Sequence, residues 1–243
     1  MKLTCLGFWG AYPEAGSATT SFLLEDEGFT LLIDCGSGVL AQMQKIVPVE
    51  QLDALVLSHY HHDHIADLGC MQYALLINTL LGKRKDSLPI YAHREGPFDS
   101  LTYQTYSHGV EISADRKITI GPWEVSFCPT VHPAYCLAMK FSSAGRSIVY
   151  SADTGWSDEL VKFCKGANLL ICESSLYDEQ KDQVPGHMTG GEAGQLAQLA
   201  GVEALILAHF PHYGEHQRLV EQAKQRFTGP VQLASELKSW VVK

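Results

Sequence analysis

Ser58-His59-Tyr60-His61-His62-Asp63-His64 places four histidines and a carboxylate directly behind the apolar run Ala54-Leu55-Val56-Leu57. A strand that ends in such a cluster is costly to pack unless something binds it, because buried imidazoles and carboxylates need partners. A divalent cation meets that need. Neutral imidazole nitrogens and carboxylate oxygens are the donors that zinc, iron and manganese accept, and this stretch offers no thiolate. In His-x-His-x-Asp-His, His59 and His61 lie two apart and project to one side of an extended or turning backbone, so they can share one ion. Asp63 and His64 can serve a second, while His62 points elsewhere. A chance histidine tract or an expression tag would stand at a terminus rather than between a strand and an apolar helix.

The rest of the composition sets bounds. A chain of 243 residues suits one large domain spanning 1–243, with ample length for a full core. No run approaches the roughly 18 apolar residues of a membrane span, so no membrane partner is expected. The apolar run after Lys2 is broken by Gly7, Gly10 and Pro13 with no cleavage site, and no signal peptide is expected. The seven cysteines form no Cys-x-x-Cys pair, and an odd number cannot all be bridged within one chain. They read as reduced core residues of a cytoplasmic protein. The net charge of −9 argues against an extended nucleic-acid face, which relies on clustered Lys and Arg. It is compatible with a small anionic substrate, since bound dications would add local positive charge. Lys83-Arg84-Lys85 is read as a solvated helix end.

Along the chain, Lys2 to Phe8, Thr20 to Glu25 and Phe29 to Asp34 read as strands, the last two joined in a hairpin by Asp26-Glu27-Gly28. Val39, Leu40, Met43, Ile46 and Val47 have helical spacing. Asp34, between its strand and two glycines, is either a carboxylate that fixes a metal-bound imidazole or a turn and helix-cap residue. Ala66 to Leu81 should be a mostly buried helix. Pro89 to Ala92 reads as a strand, and the aromatic stretch from Glu95 to Gly109 as a substrate flap, its alternative being helix core. A meander follows: Ile118 to Ile120, Trp123 to Cys128, Cys136 to Phe141 and Ser147 to Tyr150. Helix and strand then alternate: Asp158 to Cys164, Leu169 to Cys172, Gly190 to Ala200, Ala204 to Leu207 and His216 to Phe227. Thr189-Gly190-Gly191-Glu192 matches a capping box. This order suits two packed sheets with helices on both outer faces.

Three more ligand-type residues stand directly after apolar strands: His132, Asp153 and His209. Each alone is an ordinary turn residue. Together with the cluster they form a series, His59, His61, Asp63, His64, His132, Asp153 and His209, that resembles the ligand series of the metallo-β-lactamase superfamily over nearly the whole chain. The resemblance implies an αββα sandwich of two mixed sheets and two divalent metal ions, usually zinc, with manganese or iron as alternatives. By position, His59, His61 and His132 would hold one ion, Asp63, His64 and His209 the other, and Asp153 would bridge. A shared water or hydroxide is then the expected nucleophile.

The lactamases of that family use a cysteine ligand and lack the bridging aspartate, so Asp153 disfavours that activity. Ile171-Cys172-Glu173-Ser174-Ser175 and Gly186-His187-Met188-Thr189 resemble two ribonuclease Z segments that carry a glutamate and a histidine near the leaving group. The resemblance implies that His187 protonates the departing alkoxide, that Glu173 orients it, and that Asp63 accepts a proton from the attacking water. Only 21 positions separate His132 from Asp153, room for two strands and a turn but not for the long tRNA-gripping arm of ribonuclease Z. The expected activity is therefore hydrolysis of a small or cyclic phosphodiester or short nucleic acid. The alternatives are a thioesterase or lactonase of glyoxalase II type, a tRNA 3′-processing endoribonuclease, and a non-catalytic di-iron protein. A homodimer is expected by the same likeness.

Overall fold

A computed structural model describes all residues 1–243. The chain divides into two compact units, Met1–Ser113 with Ser235–Val241, and Ala114–Ala234 with Val242–Lys243.

The first unit is built on a seven-stranded sheet: β1 (Lys2–Gly7), β2 (Ser21–Asp26), β3 (Phe29–Ile33), β4 (Ala54–Val56), β5 (Leu88–Ala92), β6 (Ser107–Glu111) and, from the end of the chain, β14 (Ser239–Val241), in the order β14-β1-β2-β3-β4-β5-β6. β14, β1, β2 and β3 run antiparallel, and β3 through β6 are parallel. The β2–β3 turn is the expected hairpin. Glu27 and Gly28 both take positive φ, 49° and 81°, the pattern of a two-residue turn that follows the strand twist. Leu55 and Ile90 are wholly buried and pack with Val39 and Met43 of α1 (Val39–Met43) and Met71 and Leu75 of α3 (Leu68–Leu80).

The second unit repeats the plan with β7 (Ile118–Ile120), β8 (Trp123–Pro129), β9 (Leu137–Ser143), β10 (Arg146–Tyr150), β11 (Leu169–Glu173), β12 (Ala204–Ala208) and β13 (Val231–Leu233). Its order is β13-β12-β11-β10-β9-β8-β7, with an antiparallel meander from β7 to β10 and parallel pairs beyond. Every residue of β11 is buried, as a central parallel strand requires. The flanking helices are α4 (Asp158–Phe163), α5 (Gly190–Ala200) and α6 (His216–Lys224). α5 begins where the capping box placed it: Glu192 N donates to Thr189 Oγ1, and Thr189 N to the Glu192 carboxylate, both at 3.1 Å. A side chain at Gly194 would come within 2.7 Å of the Ala223 Cα, so glycine there lets α5 and α6 approach closely. The two mixed sheets with their flanking helices are the elements of the expected fold class.

Four expectations change. The Ala66 to Leu81 segment forms the expected helix, α3, but it is not mostly buried. A single turn, α2 (His62–Ile65), precedes α3, and Tyr73, Ile77, Leu80 and Leu81 face solvent. Both sides of that helix are apolar, so hydrophobicity alone did not mark the buried side. The 95–109 stretch sides with the core rather than with a flap, though without a long helix: Leu101 is wholly buried in the first unit's core, and Phe98 and Tyr106 pack against it. It holds a short 3₁₀ turn, Phe98–Leu101, and a bridge between Tyr103 and Ser107 that leads into edge strand β6. Arg84 is buried rather than solvated, donating to Leu52 O at 2.6 Å and Asp86 O at 2.7 Å. All seven cysteines are free, but Cys70 is exposed. No helix is long and apolar enough to cross a membrane.

Candidate metal centre

The ligand-type residues sit past the carboxyl ends of strands, where open α/β sheets collect their functional groups. In the first unit, β3 delivers Asp34 and β4 leads through Leu57 into Ser58 and His59. Extended backbone at His61 (φ −62°, ψ 148°) then gives way to the turn of α2, which carries Asp63 and His64. The His59 ring lies 4.6 Å from that of His61 and 4.2 Å from that of His64, centroid to centroid. His59, His64 and Asp34 are buried, and His61 and His62 are exposed. Asp34 resolves in favour of the imidazole partner. Its Oδ2 lies 2.8 Å from His64 Nδ1, and Ser58 donates its amide to Oδ1 at 2.7 Å and its hydroxyl to Oδ2 at 2.8 Å. Helix α1 starts instead at Gly38, with no side-chain cap. Ser58 Oγ also lies 3.0 Å from His59 Nδ1. Ala11 N donates to Asp63 Oδ2 at 2.9 Å, Thr19 Oγ1 to Asp63 O at 2.6 Å, and Cys35 N to His64 O at 2.8 Å.

In the second unit, His132 follows β8 and its Nδ1 lies 3.1 Å from Gly186 O. Asp153 follows β10 and His209 follows β12. His209 Nδ1 lies 2.8 Å from Ser175 Oγ, and its Nε2 lies 3.3 Å from Asp153 Oδ1. Glu173, the last residue of β11, is buried and takes donors on both oxygens. Thr154 N reaches Oε1 at 2.8 Å and His187 Nδ1 lies 2.9 Å from it; Ser175 Oγ reaches Oε2 at 2.8 Å and Met188 N at 3.2 Å. The His187 ring lies parallel to that of His209, at 12° and 5.6 Å, and edge-on to that of His132 at 5.3 Å. Donor atoms of Glu173, His187 and His209 lie within 4.8 Å of one another. Glu173 and His187, nominated from separate segments, are thus direct partners.

The donor set fits a cation of the zinc type. In His59, His64, His132 and His209, Nδ1 is engaged by Ser58, Asp34, Gly186 O and Ser175 respectively, which leaves Nε2 as the ligating nitrogen. Two bonds of about 2.0–2.1 Å meeting at a tetrahedral angle put their donor atoms about 3.3 Å apart. His209 Nε2 and Asp153 Oδ1 are 3.3 Å apart, and His64 Nε2 and Asp63 Oδ2 are 3.6 Å apart. These spacings suit atoms that share an ion better than atoms that share a proton. Three buried cysteines are poor ligands and nucleophiles. Burial pushes the Cys35 and Cys172 thiols well up and that of Cys164 up to about 12. Ser58, Ser175, Thr154 and the Ala11 amide were not singled out from the sequence, although Ser58 and Ser175 stand beside nominated residues.

Comparison with known proteins gives these sites a family. Residues 30–210 match the model of the beta-lactamase superfamily domain. The probable metallo-hydrolase YhfI of Bacillus subtilis is 42% identical over 242 residues, 99% of each chain. The crystal structure of YhfI superposes with a TM-score of 0.97 at 41% identity, covering 98% of both chains. A ribonuclease Z from Ignicoccus hospitalis is 26% identical over 93% of each chain. A diphosphatase from the PhnP family, at 18% identity and a TM-score of 0.78 over 100% of this chain and 98% of that one, shares the fold. The chain belongs to the metallo-β-lactamase superfamily and is a metal-dependent hydrolase.

Proposed function

We propose that this hydrolase acts on a small or cyclic phosphodiester. The observation that carries the reading is the Glu173–His187 pair. His187 is partly exposed, and its Nδ1 is held 2.9 Å from a buried carboxylate. That arrangement leaves Nε2 to deliver a proton to a departing oxygen, while Glu173 stabilises the imidazolium form. A poor leaving group such as an alkoxide needs that proton.

By the family pattern, His59, His61 and His132 would hold one ion, Asp63, His64 and His209 a second, and Asp153 both, within one hydrolase domain spanning 1–243. The donor arrangements inside each unit support this assignment, and the His/Asp set suits zinc, with manganese or iron as outcomes of metal analysis. Bound metals would supply Lewis acidity and lower the pKa of a water. The chain's own part is to orient. The Ala11 amide fixes the Asp63 carboxylate, which would accept a proton from the attacking water, and Glu173 fixes the proton donor.

The short span between His132 and Asp153 supports a small substrate. That span contains β9, a turn at Ala144-Gly145 and β10. The net charge of −9 likewise disfavours tracking a long phosphate backbone. The test is turnover of bis(p-nitrophenyl) phosphate, cyclic nucleotides, a thioester and a lactone by one zinc- or manganese-loaded preparation. Phosphodiester cleavage should dominate, and His187→Ala should lower kcat by about 10²–10⁴-fold with metal content unchanged. Dominant thioester or lactone hydrolysis would replace the reading with a carboxylic-ester one. A His187→Ala enzyme at full rate would remove the proton-donor assignment.

A further inference from the structure

Each unit contains the same three-part device. In the first, one carboxylate, Asp34, meets His64 Nδ1 directly at 2.8 Å and reaches His59 through Ser58 Oγ, which lies 2.8 Å from Asp34 Oδ2 and 3.0 Å from His59 Nδ1. In the second, Glu173 meets His187 Nδ1 directly at 2.9 Å and reaches His209 through Ser175 Oγ, 2.8 Å from Glu173 Oε2 and 2.8 Å from His209 Nδ1. Asp34 and Ser58 are 24 residues apart, whereas Glu173 and Ser175 are two apart. The device recurs in space without recurring in sequence.

Counting protons gives it a consequence. A serine hydroxyl has one proton and two lone pairs, and an ionised carboxylate only accepts. The single hydroxyl proton therefore goes to the carboxylate. Toward the imidazole the hydroxyl can then only accept, so Nδ1 must carry a hydrogen, and in the neutral imidazole the lone pair is left on Nε2. For Ser175 the competing acceptor is His209 O, at 3.1 Å, farther than the 2.8 Å to Glu173. Its 3.4 Å separation from His187 Nδ1 is longer than the 2.9 Å between that nitrogen and Glu173.

We infer that Ser58 and Ser175 are positioning residues that lock His59 and His209 in the Nδ1–H tautomer, so that Nε2 is ready to ligate before a cation arrives. This rests on the metal-ligand reading above, but not on which ester is cleaved. An imidazole without such a partner favours the Nε2–H tautomer, which must be reversed before a metal can bind there.

The test is nitrogen-15 NMR of the histidine side chains in the metal-free protein, combined with zinc affinity by chelator competition, for the wild type and for Ser58→Ala, Ser58→Thr, Ser175→Ala and Ser175→Thr. The wild type should show both His59 and His209 as Nδ1–H. Each alanine variant should move its own histidine toward Nε2–H and weaken zinc binding by about 10–100-fold. Each threonine variant, which keeps the hydroxyl, should restore both. A wild-type spectrum with Nε2–H at either histidine overturns the inference without any variant. So does an alanine variant with unchanged tautomer and affinity, or a threonine variant as impaired as the alanine. Because the tautomers are read without metal or substrate, a failed phosphodiesterase assay leaves this result standing.

Discussion

Replacing Gly36 with alanine should loosen the first array of candidate ligands without replacing any of them. Gly36 lies directly against Asp63. A Cβ built on it falls 2.5 Å from the Asp63 carbonyl carbon, and nearer still to the carbonyl oxygen and Thr19 Oγ1. Real Cβ atoms essentially never approach below 3.0 Å. Backbone must therefore retreat by roughly half an ångström measured to the carbon, and more measured to the oxygen. Neither side can yield alone, because Asp63 O is held by Thr19 Oγ1 and the Cys35 amide beside Gly36 holds His64 O. The displacement passes to Asp63 and His64. Overpacking of this kind costs about 1–3 kcal/mol, which for a chain of this size lowers Tm by about 2–12 °C. If the strain is carried by the ligated state, zinc affinity falls by about 5- to 150-fold. Gly69→Ala is the control. It lies in α3 with nothing within 4 Å of the new Cβ, and it should stabilise by about 0.5–1 kcal/mol. Calorimetry with and without zinc, together with chelator competition, reads both quantities. A Gly36→Ala protein that matches wild type in Tm and in zinc affinity would refute the steric reasoning.

Other perturbations probe the frame around the site. A thiol reagent such as Ellman's should label one cysteine of the native protein quickly, Cys70, because the other six are buried; a second fast-reacting thiol contradicts this. Stability should also fall on the alkaline side. Unfolded thiols ionise near pH 8.5 or so, while burial holds Cys35 and Cys172 well above that and Cys164 at about 12. The contribution of each buried thiol is intact below the unfolded value and is lost as pH rises toward the folded one, by up to about 1.4 kcal/mol per pH unit for each. A flat unfolding free energy between pH 8 and 10 or so would show that the thiols ionise equally in both states. Arg84→Met should cost about 1–3 kcal/mol in urea unfolding, because the Leu52 and Asp86 carbonyls lose their donor; no measurable loss would mean that water replaces it.

What the sequence disclosed and what it concealed divide along physical lines. The β2–β3 hairpin, the α5 cap and the strands that end in histidine or aspartate were legible because each is decided by neighbours within a few residues. Edge strands β6, β13 and β14 were not. Ser107-His108-Gly109-Val110-Glu111 has no clean alternation, and Ser239-Trp240-Val241 becomes a strand only by pairing with Lys2, Leu3 and Thr4 at the other end of the chain. Helix α3 was visible, but its buried side was not, since Leu68, Met71 and Leu75 are no more apolar than the exposed Ile77 and Leu80. In the candidate site, imidazoles and carboxylates in a family-like order stood out. Ser58 did not, because a serine acquires meaning only from a carboxylate 24 residues away.

Backbone conformation adds a reason to read these strand ends as functional. Asp34, Ala152 and His209 all have positive φ, 59°, 52° and 58°, and all stand just past the ends of parallel strands. For a residue with a Cβ this region costs roughly 1–2 kcal/mol, somewhat less for Asp and His. Stability alone would favour glycine at such turns. Asp34 shows why a carboxylate is kept. Asp34→Gly relieves at most about 1–2 kcal/mol of turn strain, yet it strips the buried Ser58 amide, the Ser58 hydroxyl and His64 Nδ1 of their shared partner. Each loss costs about 1–3 kcal/mol, so the sum is destabilising even in the metal-free protein, and the expected result is a lower Tm for Asp34→Gly measured in chelator. A higher Tm would mean that these three groups find other partners, and that the carboxylate does not organise the histidines around it.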